Sequence, residues 1–262
     1  MNRIAVTLLS ILCLGAAVTM FSAKRAGAAA PATLLTPVVV ELFTSEGCSS
    51  CPPADALLRQ FDAQPFPAAE LIVLSEHVDY WNHIGWSDPY SSHAYSERQS
   101  AYGNHLHLDG VYTPQMIVDG TREFVGSNSH DADQAIAKAS SVPKIAVRIT
   151  DAKLEGDTLH ARIEASPLPA GIRSADVLLV AALNRAESQV SAGENSGRRL
   201  THVAVVRALK KAGTLSPGQS FTQEVVIKLE KHVDPADLRA IALVQEPGPG
   251  KILGAAQQRL SK

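Results

Sequence analysis

Apolar positions in the first half of the chain fall in runs whose period alternates between that of a strand and that of a helix. Val38–Phe43 is apolar except for Glu41, as in a strand covered on both faces. Ala54, Leu57, Leu58 and Phe61 recur at helical spacing and so share one helix face. Pro52-Pro53 suits that helix's first turn, where N–H groups lack intrahelical partners. Leu71–Leu74 predicts a second buried strand and Glu97–His105 a second helix. Gln115–Val118 and Glu123–Val125 flank Asp119-Gly120, a hairpin signal. Asp131–Ser140 predicts a third helix, with Ser129 or Asp131 as N-cap. The predicted order is strand, helix, strand, helix, strand, strand, helix.

The pattern changes after Val142-Pro143. Short apolar or alternating runs then recur at Ile145–Ile149, Leu159–Ile163, Val177–Leu183, His202–Val206, Phe221–Leu229 and Ile241–Val244. Turn signals such as Glu155-Gly156-Asp157 and Pro217-Gly218 separate them, the spacing of a β-sandwich. The expected organisation is an α/β domain over residues 31–142, interrupted by an insertion at about 77–112, and an all-β sandwich-like domain over residues 143–262.

At the N-terminus, Arg3 precedes an apolar run from Ile4 to about Phe21, and small residues follow at Ala26–Ala30. Residues 1–30 have the shape of a secretory signal. An uncleaved membrane anchor is the alternative, because the run is long and Lys24-Arg25 follow it. The expected location is periplasmic or secreted, with no membrane span after cleavage. Of 262 residues, 45% are hydrophobic and 19% charged, a globular balance. The formal net charge is −2, and no Lys/Arg cluster points to nucleic acid.

The chain has 3 cysteines. Signal removal takes Cys13 and leaves Cys48 and Cys51 as one Cys-x-x-Cys pair between a strand and a helix. That placement is the redox edge of a thioredoxin-type fold, where a helix N-terminus stabilises the attacking thiolate. Cys48 is the expected attacking thiol and Cys51 the resolving one. Ser49 and Ser50 can donate hydrogen bonds to the sulfur. Pro114 stands just before the predicted strand Gln115–Val118, where thioredoxin-like folds carry a cis-proline facing the cysteines. Glu41 is the one charge in its strand. A buried carboxylate there must be paired or keep its proton; similarity to thioredoxins, which carry a buried acid on this strand, implies a proton relay to the resolving cysteine, and a Glu at a strand end reaching solvent is the alternative.

Both Trp residues and all five Tyr residues lie between positions 80 and 112. Trp81, Trp86, Tyr112 and Thr113 are the candidate substrate contacts, as a groove for an extended polypeptide or as a mini-core supporting the insertion. Five of the nine His residues lie between His77 and His107. With Cys48 and Cys51, a histidine such as His77 would suit soft Cu(I) or zinc, although no tight spacing selects a set. Gly193-Glu194-Asn195-Ser196-Gly197-Arg198 reads as a polar hairpin loop, with partner contact as the alternative.

Three further blocks extend the cysteine motif, which runs Val40-Glu41-Leu42-Phe43-Thr44-Ser45-Glu46-Gly47-Cys48-Ser49-Ser50-Cys51-Pro52-Pro53-Ala54-Asp55. They are His77-Val78-Asp79-Tyr80-Trp81, Val111-Tyr112-Thr113-Pro114-Gln115 and Gly193–Arg198. Together they resemble a secreted thioredoxin-like family of unknown function, the domain of unknown function 1223 family. The resemblance spans nearly the whole mature chain. It implies a thioredoxin-like fold for the first domain and supplies no substrate.

The functional expectation is a thiol–disulfide oxidoreductase acting on protein or small-molecule thiols and disulfides, with a redox protein as candidate partner and no cofactor. The alternatives are a copper- or metal-handling chaperone using Cys48, Cys51 and His77, and a non-catalytic binding protein with a structural disulfide.

Overall fold

The computed structural model describes residues 35–229 and 233–261; the expected signal segment and Cys13 lie outside these residues. The elements are β1 (Thr36–Thr44), α1 (Pro52–Ala63), β2 (Ala69–His77), α2 (His93–His105), β3 (Gln115–Val118), β4 (Arg122–Val125), α3 (Ser129–Ser140), β5 (Val147–Glu155), β6 (Thr158–Ala165), β7 (Ala175–Gln189), β8 (Arg199–Leu215), β9 (Phe221–Lys228), β10 (Leu238–Gln245) and β11 (Ile252–Arg259). Among the described residues, no helix is long and apolar enough to cross a membrane.

Two successive domains, a thioredoxin-like α/β unit and then a β-sandwich, are not what the chain forms. Eight strands join one mixed sheet in the order β11-β10-β7-β8-β2-β1-β3-β4, and β5-β6-β9 form a separate three-stranded sheet. Residues Leu35–Lys262 cluster as one compact unit. The junction is β2, which runs parallel to β1 from Thr36↔Ala69 to Thr44↔His77 and meets β8 in parallel at Ser75↔Val205. Both edges of β2 are therefore occupied, as its two-sided burial requires.

Three layers of packing hold this arrangement. On one face of β1, Val38, Val40 and Leu42 pack on Ala54, Leu57 and Leu58 of α1 and on Ala132 and Ile136 of α3. On the other face, Val39 joins Ile72 and Leu74 to Leu178, Val180, Val206, Ile241 and Leu243. Strands of both halves of the chain share that core, so neither half buries its apolar surface alone. The three-stranded sheet covers the remaining face of β7 and β10 through Leu159, Ile163, Val225 and Ile227 against Val177, Leu179, Ala240 and Ala242.

Local chemistry fixes the ends. Ser92 caps α2 by accepting from Ala94 N at 3.4 Å. Asn128, rather than Ser129 or Asp131, caps α3 by accepting from Asp131 N at 3.2 Å. In the β3–β4 connection Asp119 and Gly120 both have positive φ, 50° and 67°, as a hairpin reversal favours.

Candidate functional site

β1 delivers its chain into the turn Ser45-Glu46-Gly47, and Cys48 N closes that turn on Ser45 O at 3.2 Å. Cys51 N donates to Cys48 O at 3.2 Å, and Ala54 N and Asp55 N donate to Cys51 O at 2.9 and 3.1 Å. Cys51 is thereby the N-cap of α1, with Pro52 in the first turn. Cys48 and Cys51 form a disulfide with their Cα atoms 5.5 Å apart. Both residues are fully buried, at 0% exposure, whereas Ser49 and Ser50 face solvent. Ser50 Oγ lies 3.3 Å from Cys48 Sγ.

The proline and the aromatic insertion meet this turn. The Thr113–Pro114 bond is cis. Gly126 N donates to Pro114 O at 2.9 Å. A Cβ on Gly126 would lie 2.7 Å from Leu42 Cδ1 and 3.2 Å from both Ala54 Cβ and Pro114 Cβ, so Pro114 borders the first turn of α1 across a contact only glycine permits. Trp81 Nε1 donates to Thr113 Oγ1 at 2.7 Å. Trp86 Nε1 donates to Glu46 Oε2 at 2.8 Å. Tyr112 points into a different network: its hydroxyl donates to Glu123 Oε2 at 2.7 Å, and its carbonyl accepts from Gln99 Nε2 at 2.7 Å.

A buried polar cluster underlies the cysteine turn. Glu46 N donates to Asp88 Oδ2 at 2.8 Å, and the same oxygen is 2.7 Å from His77 Nδ1. His202 Nε2 is 3.3 Å from Glu46 Oε1, and its Nδ1 is 3.6 Å from Asp55 Oδ1. Thr44 Oγ1 donates to Asp55 Oδ1 at 3.0 Å. The His77 and His202 rings meet edge to face with centroids 4.6 Å apart. Burial opposes the charged form of His202, but Asp55 and Glu46 outweigh it and push the imidazole up to about 10. Burial also opposes ionisation of Asp88, yet His77 and the amides of Glu46 and Tyr90 hold its carboxyl below the usual range. The cysteine turn therefore rests on buried acids and histidines in direct contact, an arrangement that favours the charged form of His202.

The segment between β7 and β8 closes the cluster from above. Asn195 Nδ2 donates to Glu46 O and to Cys48 O, each at 2.9 Å. Ser49 N donates to Glu194 Oε2 at 3.0 Å. The polar Gly193–Arg198 loop is thus an intramolecular clasp on the cysteine turn, as well as the hairpin connection its composition indicates.

Cys48, Cys51, Thr113, Pro114, Trp81 and Trp86 are brought into one neighbourhood. Glu41 is engaged elsewhere: its Oε1 accepts from Tyr102 Oη at 2.5 Å and its Oε2 from Arg98 Nε at 2.9 Å. The acids that do border the cysteine turn include Asp55, one helical turn after Cys51, together with Glu46, Asp88 and Glu194. His77 is fully buried and its Nδ1 is taken by Asp88. Among the described residues no group of three or more His, Cys, Asp and Glu side chains is arranged to hold a metal ion. Residue-by-residue reasoning from sequence overlooked Glu46, Asp55, Asp88, Asn195 and His202. The signals for Glu46, Asp55 and Asn195 were their places in the cysteine motif and in the polar Gly193–Arg198 block.

With the fold and the disulfide in view, a family model described as a protein of unknown function (DUF1223) matches residues 39–245. The chain belongs to that family. A crystal structure of an Agrobacterium tumefaciens protein is similar, at 29% identity and a TM-score of 0.66, over 88% of this chain and 100% of that one. HBP35 of Porphyromonas gingivalis shares the fold at 16% identity and a TM-score of 0.60, over 88% of this chain and 77% of that one. No curated protein matches the chain significantly.

Proposed function

We propose that the chain is a thiol–disulfide oxidoreductase of the periplasm or the extracellular space, acting on thiols and disulfides of proteins or small molecules. The observation that carries this reading is the Cys48–Cys51 disulfide at the N-terminus of α1. A thiolate released there is stabilised by the helix's unpaired N–H groups. In the oxidising direction a substrate thiolate attacks Cys48 Sγ, the Cys48–Cys51 bond breaks, and Cys51 leaves as the thiolate. A second substrate thiolate then attacks the substrate sulfur of the mixed disulfide and releases the Cys48 thiolate. The substrate loses two electrons as a new disulfide and the protein pair gains them; the reducing direction is the same path reversed. The expected signal segment and the lone cysteine pair support an oxidising compartment.

The complete burial of both cysteines adds a requirement. Attack on Cys48 needs the buried sulfur to become exposed, and the Glu194 and Asn195 bonds to the cysteine-turn backbone are the contacts whose release would loosen that turn. That same burial favours a second reading, a non-catalytic binding protein whose disulfide is structural.

One experiment separates the two. The reduction potential is measured by equilibration with glutathione, and Cys51→Ala is incubated with oxidised substrates under non-reducing conditions. A potential within about −270 to −120 mV and mixed disulfides trapped through Cys48 support the oxidoreductase. A potential below about −300 mV with no trapped species supports the structural disulfide.

A further inference from the structure

Asp119 ends β3 at its far side from Pro114, and a cavity of about 520 Å³ opens there. Its floor is the ion pair of Asp119 and Lys144, 2.6 Å apart, with both side chains only 4% exposed. Lys144 Nζ also donates to Ile252 O at 2.7 Å, and Asp119 Oδ1 accepts from Val39 N at 2.9 Å. The floor is thus neutralised and rigidly held. The walls bring Arg122 of β4, Lys138 of α3 and Lys251 of the β10–β11 connection to the same concavity. None of these three cations has a carboxylate partner among the described residues. Asp131, the other acid of the lining, is occupied in the α3 cap, where its Oδ2 accepts from Asn128 Nδ2 at 2.6 Å.

We propose that this cavity is a binding site for a small multivalent anion bearing phosphate or carboxylate groups. The lining sets four cations, Arg122, Lys138, Lys144 and Lys251, against two carboxylates, Asp119 and Asp131, so positive charge is in excess there in a chain whose formal net charge is −2. Like charges facing one concavity repel each other and draw in counterions, and an anion with two or more charges relieves that repulsion. Arg122 supplies a fork suited to two oxygens, whereas Lys138 and Lys251 act as point charges. Thr121 and Gln134 add neutral hydrogen-bonding groups to the lining. The volume lies within the roughly 300–1,000 Å³ of small-molecule sites. The site lies at the opposite end of β3 from Pro114 and does not depend on the redox reading.

The test is calorimetric titration of the full chain with pyrophosphate and, separately, with citrate, at constant ionic strength to hold screening fixed. Saturable binding of either probe is expected: pyrophosphate alone assigns a phosphate ligand, citrate alone a polycarboxylate, and both together assign recognition by charge. The Arg122→Glu/Lys138→Glu double variant replaces two exposed side chains, and its folding is checked by circular dichroism. It should weaken binding at least about tenfold, because two attractive charges become repulsive. Lys251→Gln serves as a second, gentler variant and should weaken binding by a smaller factor. No saturable binding of either probe, or binding unchanged in both variants, overturns the proposal.

Discussion

The side-chain amide of Asn195 holds the backbone carbonyl of Cys48 at 2.9 Å, across 147 residues of chain. The same amide holds Glu46 O at 2.9 Å, so one side chain satisfies two buried acceptors of the cysteine turn. Asn195→Ala removes both bonds: Cys48 O keeps its bond from Cys51 N, whereas Glu46 O is left unpaired, at a cost of about 1–3 kcal/mol. The variant should unfold at lower urea concentration, and dithiothreitol should reduce its disulfide faster than that of the wild type. Timed thiol labelling reads that rate. An unchanged rate would show that the loop does not gate access to Cys48.

His202 makes the stability of the site dependent on pH. Its folded pKa is about 10, against about 6.5 for an unfolded histidine. A raised basic group stabilises the fold fully below the unfolded value, and the contribution disappears as pH rises through the folded one. The relevant window is therefore roughly pH 6.5–10, and the contribution is on the order of a few kcal/mol. His202→Gln should be less stable than wild type at pH 6, and the gap should narrow towards pH 10. Urea unfolding at pH 6, 8 and 10 measures it. Parallel pH profiles would mean that folding leaves the His202 imidazole unshifted.

Most elements of the first half were legible because they carry their own periodic signal, as Leu57, Leu58 and Phe61 do for α1; α2 (His93–His105) has little apolar periodicity, and its first turn was missed. The joining of the two halves was not. Leu71–Leu74 reads as a covered strand whichever neighbour covers it, and nothing in that run names β8 as its second partner. β7 and β8 are 15 and 17 residues long, yet Asn184-Arg185 and Lys210-Lys211 break their apolar patterns and make them read as shorter pieces. β11 carries Gly254-Ala255-Ala256 and Gln257-Gln258, too little apolar signal to register as a strand. At the site, the cysteines and Pro114 were legible from local motifs. Asn195 and His202 reach it only through tertiary proximity. The strand period also explains Glu41: it alternates with Leu42 and so faces α2, whereas Leu42 faces α1 and α3.

Gly47 and Trp81 are packed so closely that any side chain at position 47 would press on Trp81. A Cβ at Gly47 would lie 3.1 Å from Trp81 Cβ and 3.2 Å from Trp81 O. Trp81 cannot readily yield, because its indole N–H is held by Thr113 at 2.7 Å. Gly47→Ala should therefore cost about 1–3 kcal/mol by overpacking and loosen the contact between the cysteine turn and the Thr113-Pro114 segment. Chemical denaturation reads the cost, and indole fluorescence reads the environment of Trp81. Wild-type stability in this variant would mean that the turn shifts without strain.

Arg98 faces two buried carboxylates at once. Its guanidinium lies 2.7 Å from Glu41 Oε2 and 3.4 Å from Glu76 Oε1, and both acids are fully buried. Burial raises the Glu76 carboxyl well above the usual range despite the opposing Arg98 cation, and the neighbouring Glu41 adds to the rise. Arg98→Met keeps much of the aliphatic stem but removes the only cation of the group, and breaking a buried pair in this way costs about 3–5 kcal/mol. A carboxyl whose folded pKa is raised loses stability as pH climbs above the unfolded value near 4.3 and regains it on acidification. The deficit of Arg98→Met should therefore shrink between pH 7 and pH 5, as the Glu76 carboxyl, left without its cation, takes up a proton. Adding Glu41→Gln to Arg98→Met should restore part of the loss at pH 7. Urea denaturation of the single and double variants at both pH values measures each effect, and a deficit independent of pH would assign Arg98 a packing role alone.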